Sequence, residues 1–358
     1  MNIVIVGYSL GGFGGMETVC KKLNQLIDSD GSHRLSFVFF NEQGNVDERW
    51  HAGLATTTLP SQINNTKVRR LSFAWQLARQ LRRNPPDVVI CLDTLSCYIA
   101  TVARRLCFGR FPVVSWLHFS VFDLYKYAYI LRADAHLVIS NGIQQQVAGL
   151  GVDPATIATV WNPVTPAAGP IPRTQHGSDF VFIGRVIFEG QKRVKDLLDA
   201  LVPLQGDWRL HVVGHGEDFE RCRQYAQAAG IGERVVWHGW QAQPWHYVRE
   251  QIGSLTALVL TSAFEGLPMT LLEAMAHGVY CVSADCPTGP ADVIDGSNGQ
   301  LYPPGRLDVL TSALQGLVER GVPVDAATVV ASIEKFYDEN YYALMMAALQ
   351  QSIDRYHQ

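Results

Sequence analysis

Two glutamates eight residues apart, Glu265 and Glu273, stand in the segment LTSAFEGLPMTLLEAMAHG. The neighbours of Glu273 (Leu271, Leu272, Ala274, Met275 and Ala276) are apolar, so a carboxylate buried there unpaired would cost several kcal/mol. It must reach solvent or a ligand. A carboxylate accepts two hydrogen bonds side by side, a match for the vicinal hydroxyls of a ribose. Pro268 suits the first turn of a helix ending near residue 277. The N–H groups of Met269 and Thr270 at its start suit a phosphate or a sugar hydroxyl. The plainer alternative is a glutamate placed near a helix start by the macrodipole alone. Against it stand two cations. Arg185 follows Gly184 at the end of an apolar run, and Lys192 lies just before an amphipathic stretch. A guanidinium fork and an ammonium together suit a diphosphate, whereas either alone would pass for surface charge.

Two further positions carry candidate chemistry. His118 ends the apolar run 112–116 through Leu117, where it is either a structural hydrogen-bonding residue or a group at a strand-end site. The loop GYSLGGFGGMET offers Gly11, Gly12, Gly14 and Gly15 before a helix starting near Met16. Such a loop lets backbone approach a ligand and aims a helix N-terminus at it, or simply connects a strand to a helix. It contains no G-x-G-x-x-G, and no G-K-[ST] follows, so dinucleotide and P-loop sites are disfavoured. No metal site is assigned. Asp28-Ser29-Asp30 reads as a turn after the first helix rather than an aspartate pair at a strand end.

These groups need strands whose ends they can occupy. Continuous apolar runs at 2–6, 35–40, 87–91, 112–116 and 135–139, separated mostly by helical stretches, suit strands covered on both faces, as in a parallel sheet. A second series lies at 180–183, 208–213, 234–237, 257–260 and 280–283. Between them, four prolines (Pro163, Pro166, Pro170 and Pro172) mark a linker. With 358 residues, the chain is about twice the ~150-residue size of a typical domain. We therefore expect an α/β protein of two doubly wound, Rossmann-like domains facing across a cleft, with ligands at the strand C-termini. The expected boundaries are 1–163, a linker at 164–178, and 179–339; a C-terminal helix of about 340–358 can pack back on the first domain.

Composition narrows the class. Hydrophobic residues make up 47% and charged residues 17%, enough for full cores and too apolar for disorder. Seven cysteines without a C-x-x-C pair fit neither a disulfide framework nor a zinc ribbon. A reduced, cytosolic protein with no signal peptide and no membrane span is expected. Residues 1–170 carry 15 Lys/Arg against 11 Asp/Glu, and the remainder 14 against 22. Within LSFAWQLARQLRRN, Leu71, Ala74, Trp75, Ala78 and Leu81 recur at helical spacing beside Arg79, Arg82 and Arg83. This basic helix is either ordinary solvated surface or a dock for anionic lipid or glycolipid. No nucleic-acid signature accompanies it.

Gly14-Gly15, His118, Gly184-Arg185, Lys192 and the pair Glu265/Glu273, in this order, resemble family 4 glycosyltransferases over essentially the whole chain, most specifically over residues 180–300. More narrowly, GFGGMET, the HFS after Trp116-Leu117, FEGQKRVKDLLD, HGWQ followed by Pro244-Trp245, and FEGLPMTLLEA with SADC and GPAD are similar to bacterial lipopolysaccharide core 1,6-galactosyltransferases. The resemblance implies a GT-B fold, a UDP-galactose donor, and retention of configuration with no metal or other cofactor. It implies Arg185 and Lys192 on the diphosphate, Glu273 on the ribose, and Glu265 with the amides of Gly266 and Leu267 at the donor hexose. His118 would lie near the reacting sugar, and His238-Gly239-Trp240 would hold the uracil. Gly14, Gly15, Gly184, Met269 and Thr270 would complete the donor site. The implied acceptor is a glucose of the lipid-A-linked lipopolysaccharide core oligosaccharide, joined by an α-1,6 linkage. The enzyme would then work peripherally at the cytoplasmic face of the inner membrane. The stretch 41–66 matches the family least. A UDP-glucose-dependent relative acting on another glycolipid, a UDP-sugar epimerase, a nicotinamide oxidoreductase and a non-catalytic sugar- or lipid-binding protein are the alternatives.

Overall fold

Apolar runs too continuous for a half-exposed strand become the centres of two parallel sheets. The structure is a computed structural model that describes residues 1–11, 14–42 and 48–358. Gly12 of the glycine loop and residues 43–47 of the 41–66 stretch lie outside the described residues.

The first unit comprises Met1–Pro163 and Asp338–Gln358. Its seven strands are β1 (Asn2–Tyr8), β2 (Arg34–Asn41), β3 (Thr56–Pro60), β4 (Val88–Cys91), β5 (Val113–Leu117), β6 (Ala135–Val138) and β7 (Ile157–Thr159). They run parallel in the order β3-β2-β1-β4-β5-β6-β7. Helices α1 (Gly15–Asp30), α2 (Thr66–Arg83), α3 (Thr94–Cys107) and α4 (Asn141–Gly149) supply crossovers. The C-terminal helix Asp338–His357 docks here through buried Tyr341 and Met345 and a 3.1 Å ion pair between Asp338 and Lys22.

One expectation changes in this unit. Asp28, Ser29 and Asp30 are not a turn; they form the last turn of α1, which Gly31 closes at φ 68° while Asn24 donates to Asp28 at 2.6 Å. The apolar residues of α2 divide between core and surface. Its buried stripe consists of Arg70, Phe73, Ala74, Leu77, Ala78 and Leu81, whereas Leu71 and Trp75 are 51% and 55% exposed. Burying Phe73 and Leu77 beside the small Ala74 and Ala78 lets α2 sit close to Cys97 and Ala100 of α3.

The second unit spans Val164–Tyr337. It holds β8 (Ser178–Ile183), β9 (Trp208–Val213), β10 (Val235–Gly239), β11 (Ala257–Leu260), β12 (Tyr280–Ala284) and β13 (Gly299–Tyr302). Their order is β10-β9-β8-β11-β12-β13, again parallel. The site-bearing helices are α5 (Val194–Leu201), α6 (Phe219–Ala228), α7 (Pro244–Tyr247) and α8 (Met269–Ala276). The proline-rich stretch is tied down at both ends, with Val164 bridging Tyr337 and Arg173 bridging Leu255. Strand order reverses between β1 and β4 in one sheet and between β8 and β11 in the other. Such switch points are where open α/β sheets leave a crevice for ligands.

Candidate active site

The loops leaving β8 and β11 flank the second unit's switch point and are stitched together. Arg185 is exposed, and its Nη2 donates to Gln191 Oε1 at 2.8 Å. Gln191 Nε2 donates to the Phe264 carbonyl at 3.3 Å, and its own carbonyl accepts the Ala263 N–H at 2.8 Å. Thr261 Oγ1 lies 2.9 and 3.0 Å from the carbonyls of Lys192 and Arg193. Those contacts hold Arg193 at φ 48°, a left-handed conformation unfavourable for a side chain of that size.

Lys192 Nζ meets Glu265 Oε1 at 2.6 Å, with the two side chains only 12% and 9% exposed. The structure thus joins two of the expected site residues as an ion pair and leaves Arg185 beside them with an exposed guanidinium. Thr288 donates to the Glu265 carbonyl. At Gly289, φ 93°, a Cβ would fall 2.7 Å from the Gly266 carbonyl oxygen and 2.9 Å from Leu267 Cα. Only glycine lets this turn press on the Gly266–Leu267 backbone.

Helix α8 begins at Met269, with Pro268 at the N-cap position rather than inside the first turn. Thr270 is its second residue, and the half-buried Glu273 lies one turn further on. Trp245 Nε1, on α7, donates to Glu273 Oε2 at 3.0 Å. Burial pushes the Glu273 carboxyl above its ordinary range, and the indole hydrogen bond opposes that. Trp245 also stacks on His277 at 5.0 Å. Gly184 has φ 153°, and its neighbour Gly214 packs against its carbonyl so closely that a Cβ there would collide. Trp240 follows β10 through Gly239 and is 65% exposed.

In the first unit Gly14 caps α1 and Gly15 is its first residue. A Cβ on Gly14 would lie 2.6 Å from Glu17 Oε2, so glycine lets that carboxylate fold over the helix start. His118 follows β5 directly and is 6% exposed, its ring 4.6 Å from Trp116. Its Nε2 has no hydrogen-bond partner among the described residues. Burial pushes its pKa down to about 3, so the imidazole is neutral. On α2, the Arg79 guanidinium stacks 4.8 Å above exposed Trp75, and Arg82 and Arg83 occupy the last turn. Among the described residues no three His, Cys, Asp or Glu side chains group as a metal-ion site. His211 and His215 stand four apart, but His211 belongs to β9, and this spacing gathers imidazoles only on a helix.

Residues 13–168 match the family described as Glycosyltransferase Family 4, and residues 177–320 match Glycosyl transferases group 1. The chain is 41% identical to the lipopolysaccharide 1,6-galactosyltransferase of Escherichia coli (strain K12), with 99% of each chain covered. It is 40% identical to that of Salmonella typhimurium (strain LT2), with 96% of each covered. The chain belongs to the family 4 glycosyltransferases. This glycosyltransferase is similar in structure to the lipopolysaccharide outer core galactosyltransferase WaaB in its apo form. That likeness covers 98% of this chain and 99% of that one, at 38% identity and a TM-score of 0.93. Anabaena HepE in complex with UDP, 17% identical with a TM-score of 0.79 over 98% and 100% of the chains, shares the fold. The architecture is therefore GT-B, built from Rossmann-like domains of seven and six parallel strands.

Sequence reasoning assigned no role to four supporting residues of the glycosyltransferase, although Gln191 and Trp245 stand in its quoted motifs. Gln191, Thr261 and Thr288 brace the cation loop and the Glu265 loop, and Trp245 orients Glu273. The available signal was slight: polar or indole side chains near strand-end loops, with no spacing that joins them to their partners.

Proposed function

We propose that this glycosyltransferase moves galactose from UDP-galactose to a glucose of the lipopolysaccharide core, making an α-1,6 linkage with retention and without a metal ion. The observation that carries the reading is the near-complete coverage of two lipopolysaccharide 1,6-galactosyltransferases at 40–41% identity. In the reaction the bond from sugar C1 to the β-phosphate oxygen breaks, and its electron pair stays on the phosphate. The acceptor hydroxyl oxygen bonds to C1 on the same face, and its proton passes to the departing phosphate oxygen. Arg185 and Lys192 stabilise the negative charge that develops there, usually the largest catalytic term in a water-poor site. A diphosphate competes with Glu265 for the Lys192 ammonium, and the released carboxylate then accepts hydroxyls of the hexose beside the Gly266 and Leu267 amides. Met269 and Thr270 present helix-terminal N–H groups to the donor, Gly184 admits it closely, and Glu273 accepts the ribose hydroxyls.

His118 in this scheme stays neutral, consistent with its lowered pKa, and offers a hydrogen bond near the reacting sugar rather than acting as a base. Gly14 and Gly15 give the sugar close access to backbone. The acceptor is a lipid-A-linked oligosaccharide, so the enzyme works as a peripheral protein on the cytoplasmic face of the inner membrane. Exposed Val68, Leu71 and Trp75 beside Arg79, Arg82 and Arg83 support that docking. No described helix is long and apolar enough to cross a membrane.

The test is UDP release from a panel of UDP-sugars on truncated lipopolysaccharide acceptors, with NMR of the product's anomeric centre. An α-1,6-galactosyl product supports the proposal. Turnover of UDP-glucose alone replaces the donor, and absence of UDP affinity by calorimetry removes the reading altogether.

A further inference from the structure

Behind the 238–240 loop, four polar side chains from four elements form an unbranched chain. Asp179 Oδ1 of β8 lies 3.3 Å from His211 Nε2 of β9. His211 Nδ1 lies 3.0 Å from His238 Nε2 of β10, and His238 Nδ1 lies 3.0 Å from the Tyr247 hydroxyl of α7. The two imidazoles stack at 5.3 Å with their planes 18° apart. All three strand residues lie on the sheet face opposite the Phe180, Phe182, Leu210 and Val212 core.

The partners' chemistry assigns every proton. An ionised carboxylate only accepts, so His211 carries its proton on Nε2 and accepts at Nδ1. His238 must then donate from Nε2 and accept at Nδ1, which leaves the Tyr247 hydroxyl as donor. All bonds point one way, from the phenol towards Asp179, while both histidines are neutral. A single added proton fills the pair, since two would set N–H against N–H between the rings. Whichever ring takes it, the last bond reverses: His238 Nδ1–H donates, the phenol oxygen accepts, and the phenol proton must find another acceptor.

What this chain holds is the base loop. His238 is the penultimate residue of β10, at a shift of strand register between Trp237 and Gly239, and Gly239 (φ 69°) swings Trp240 outward. Gln241 Nε2 ties the loop back to the His238 carbonyl at 3.0 Å. Tyr247 ends α7, the same short helix that brings Trp245 onto Glu273, and a π-helical turn over Val248–Ile252 follows it. The segment therefore has two prongs, one on the base loop and one on the ribose carboxylate. π-helical turns recur at functional sites.

We propose that Asp179, His211, His238 and Tyr247 are positioning residues, a one-way hydrogen-bond relay that sets the 238–240 loop for the nucleotide base and is loosened when one proton enters the histidine pair. The inference rests on the reading of that loop as the base site. Other charged groups do not break the relay. Thr174 donates to the second oxygen of Asp179 at 3.1 Å. Arg209 shares the sheet face two residues before His211 but is exposed, as is Glu250 on the π-helical turn. Arg249 is drawn off to the carbonyls of Gly169 and Pro170. Burial and the neighbouring imidazole push His238 below its ordinary pKa, so the loosening belongs to the acid side of neutrality.

The experiment has two parts. Nitrogen-15 NMR of the full chain at pH 8 should show both His211 and His238 as Nε2–H tautomers; an Nδ1–H tautomer at either overturns the relay. In steady-state kinetics, Tyr247→Phe should raise the donor KM on the order of tenfold, the scale of one lost hydrogen bond, with kcat within twofold. Wild-type donor KM should climb as the pH falls below the ordinary imidazole range. In Asp179→Asn the amide both donates and accepts, so the chain no longer has an imposed direction. Its KM should already be raised at pH 8 and change little on acidification. Wild-type KM and pH profile in both variants would reduce the cluster to packing. Trp240→Ala checks the base-site reading by itself: unchanged UDP affinity there removes that reading whatever the tautomers are.

Discussion

Replacing Lys192 by alanine separates the structural from the chemical role of the ion pair with Glu265. An ammonium ~4 Å from a developing phosphate charge is worth ~4 kcal/mol at an effective dielectric of about 20. Competition from Glu265, 2.6 Å away, and from residual water takes part of that. About 2–3 kcal/mol remains, a loss of roughly 10²-fold in turnover. The same change strands a carboxylate that is only 9% exposed. Breaking a fully buried pair costs ~3–5 kcal/mol; with the remaining solvent contact we expect about 2 kcal/mol, or roughly 4–8 °C in Tm for a unit of this size. The double variant Lys192→Ala/Glu265→Gln removes the stranded charge and should recover most of the melting temperature, but none of the turnover. The assay is UDP release at 20 °C under saturating donor, beside thermal melts of both variants. Near-normal turnover in Lys192→Ala, or its return once stability is restored, would refute the leaving-group role.

Other outcomes follow from the same geometry. Trp245→Phe removes the donor that opposes burial at Glu273, so its carboxyl pKa rises further. Because the proposed ribose contact needs the ionised form, UDP affinity should fall by roughly five- to tenfold, and the loss should deepen as pH drops through that raised pKa; calorimetry from pH 8 to 5 reads it. Arg185→Ala should lose ~10²-fold in turnover with little change in Tm, since its guanidinium is exposed and bonds only Gln191 among the contacts described. Turnover should survive EDTA, and its loss on chelation would reopen a metal-dependent mechanism. Reversing the charge at Arg79, Arg82 and Arg83 should weaken binding to anionic liposomes in a salt-sensitive way; unchanged sedimentation would leave α2 as ordinary surface.

The central strands were legible because they are buried on both faces and so consist of continuous apolar residues. The three that escaped notice, β3, β7 and β13, are all sheet edges. Thr56–Pro60 contains no buried residue, Ile157–Thr159 contains one, and Gly299–Tyr302 is half-exposed, so no unbroken apolar run marks them. The buried face of α2 was not legible for a different reason. Leu71 and Trp75 are as apolar as Phe73 and Leu77, and helical spacing fits both sets; only the neighbouring α3 decides which is buried. At the site, residue types were readable and pairings were not. Lys192 and Glu265 lie 73 positions apart, and Trp245 and Glu273 lie 28 apart. Such contacts depend on which strands adjoin, a property of the strand order rather than of local sequence.

Strand order also supports placing the proposed phosphate chemistry in one unit and not equally in both. Each sheet reverses next to a helix whose N-terminus carries partial positive charge. In the first unit that charge at α1 is already met by Glu17, which the missing Cβ of Gly14 allows to curl over the helix start. In the second unit α8 has no acidic residue in its first turn, and Arg185 and Lys192 stand on the neighbouring loop. An incoming diphosphate would therefore face its own kind of charge at α1 and unmatched positive charge at α8. Glu17→Gln should leave UDP affinity within twofold if this asymmetry holds. A tighter complex would mean that the α1 terminus does contact the nucleotide, and that Gly14 and Gly15 serve a phosphate rather than a sugar.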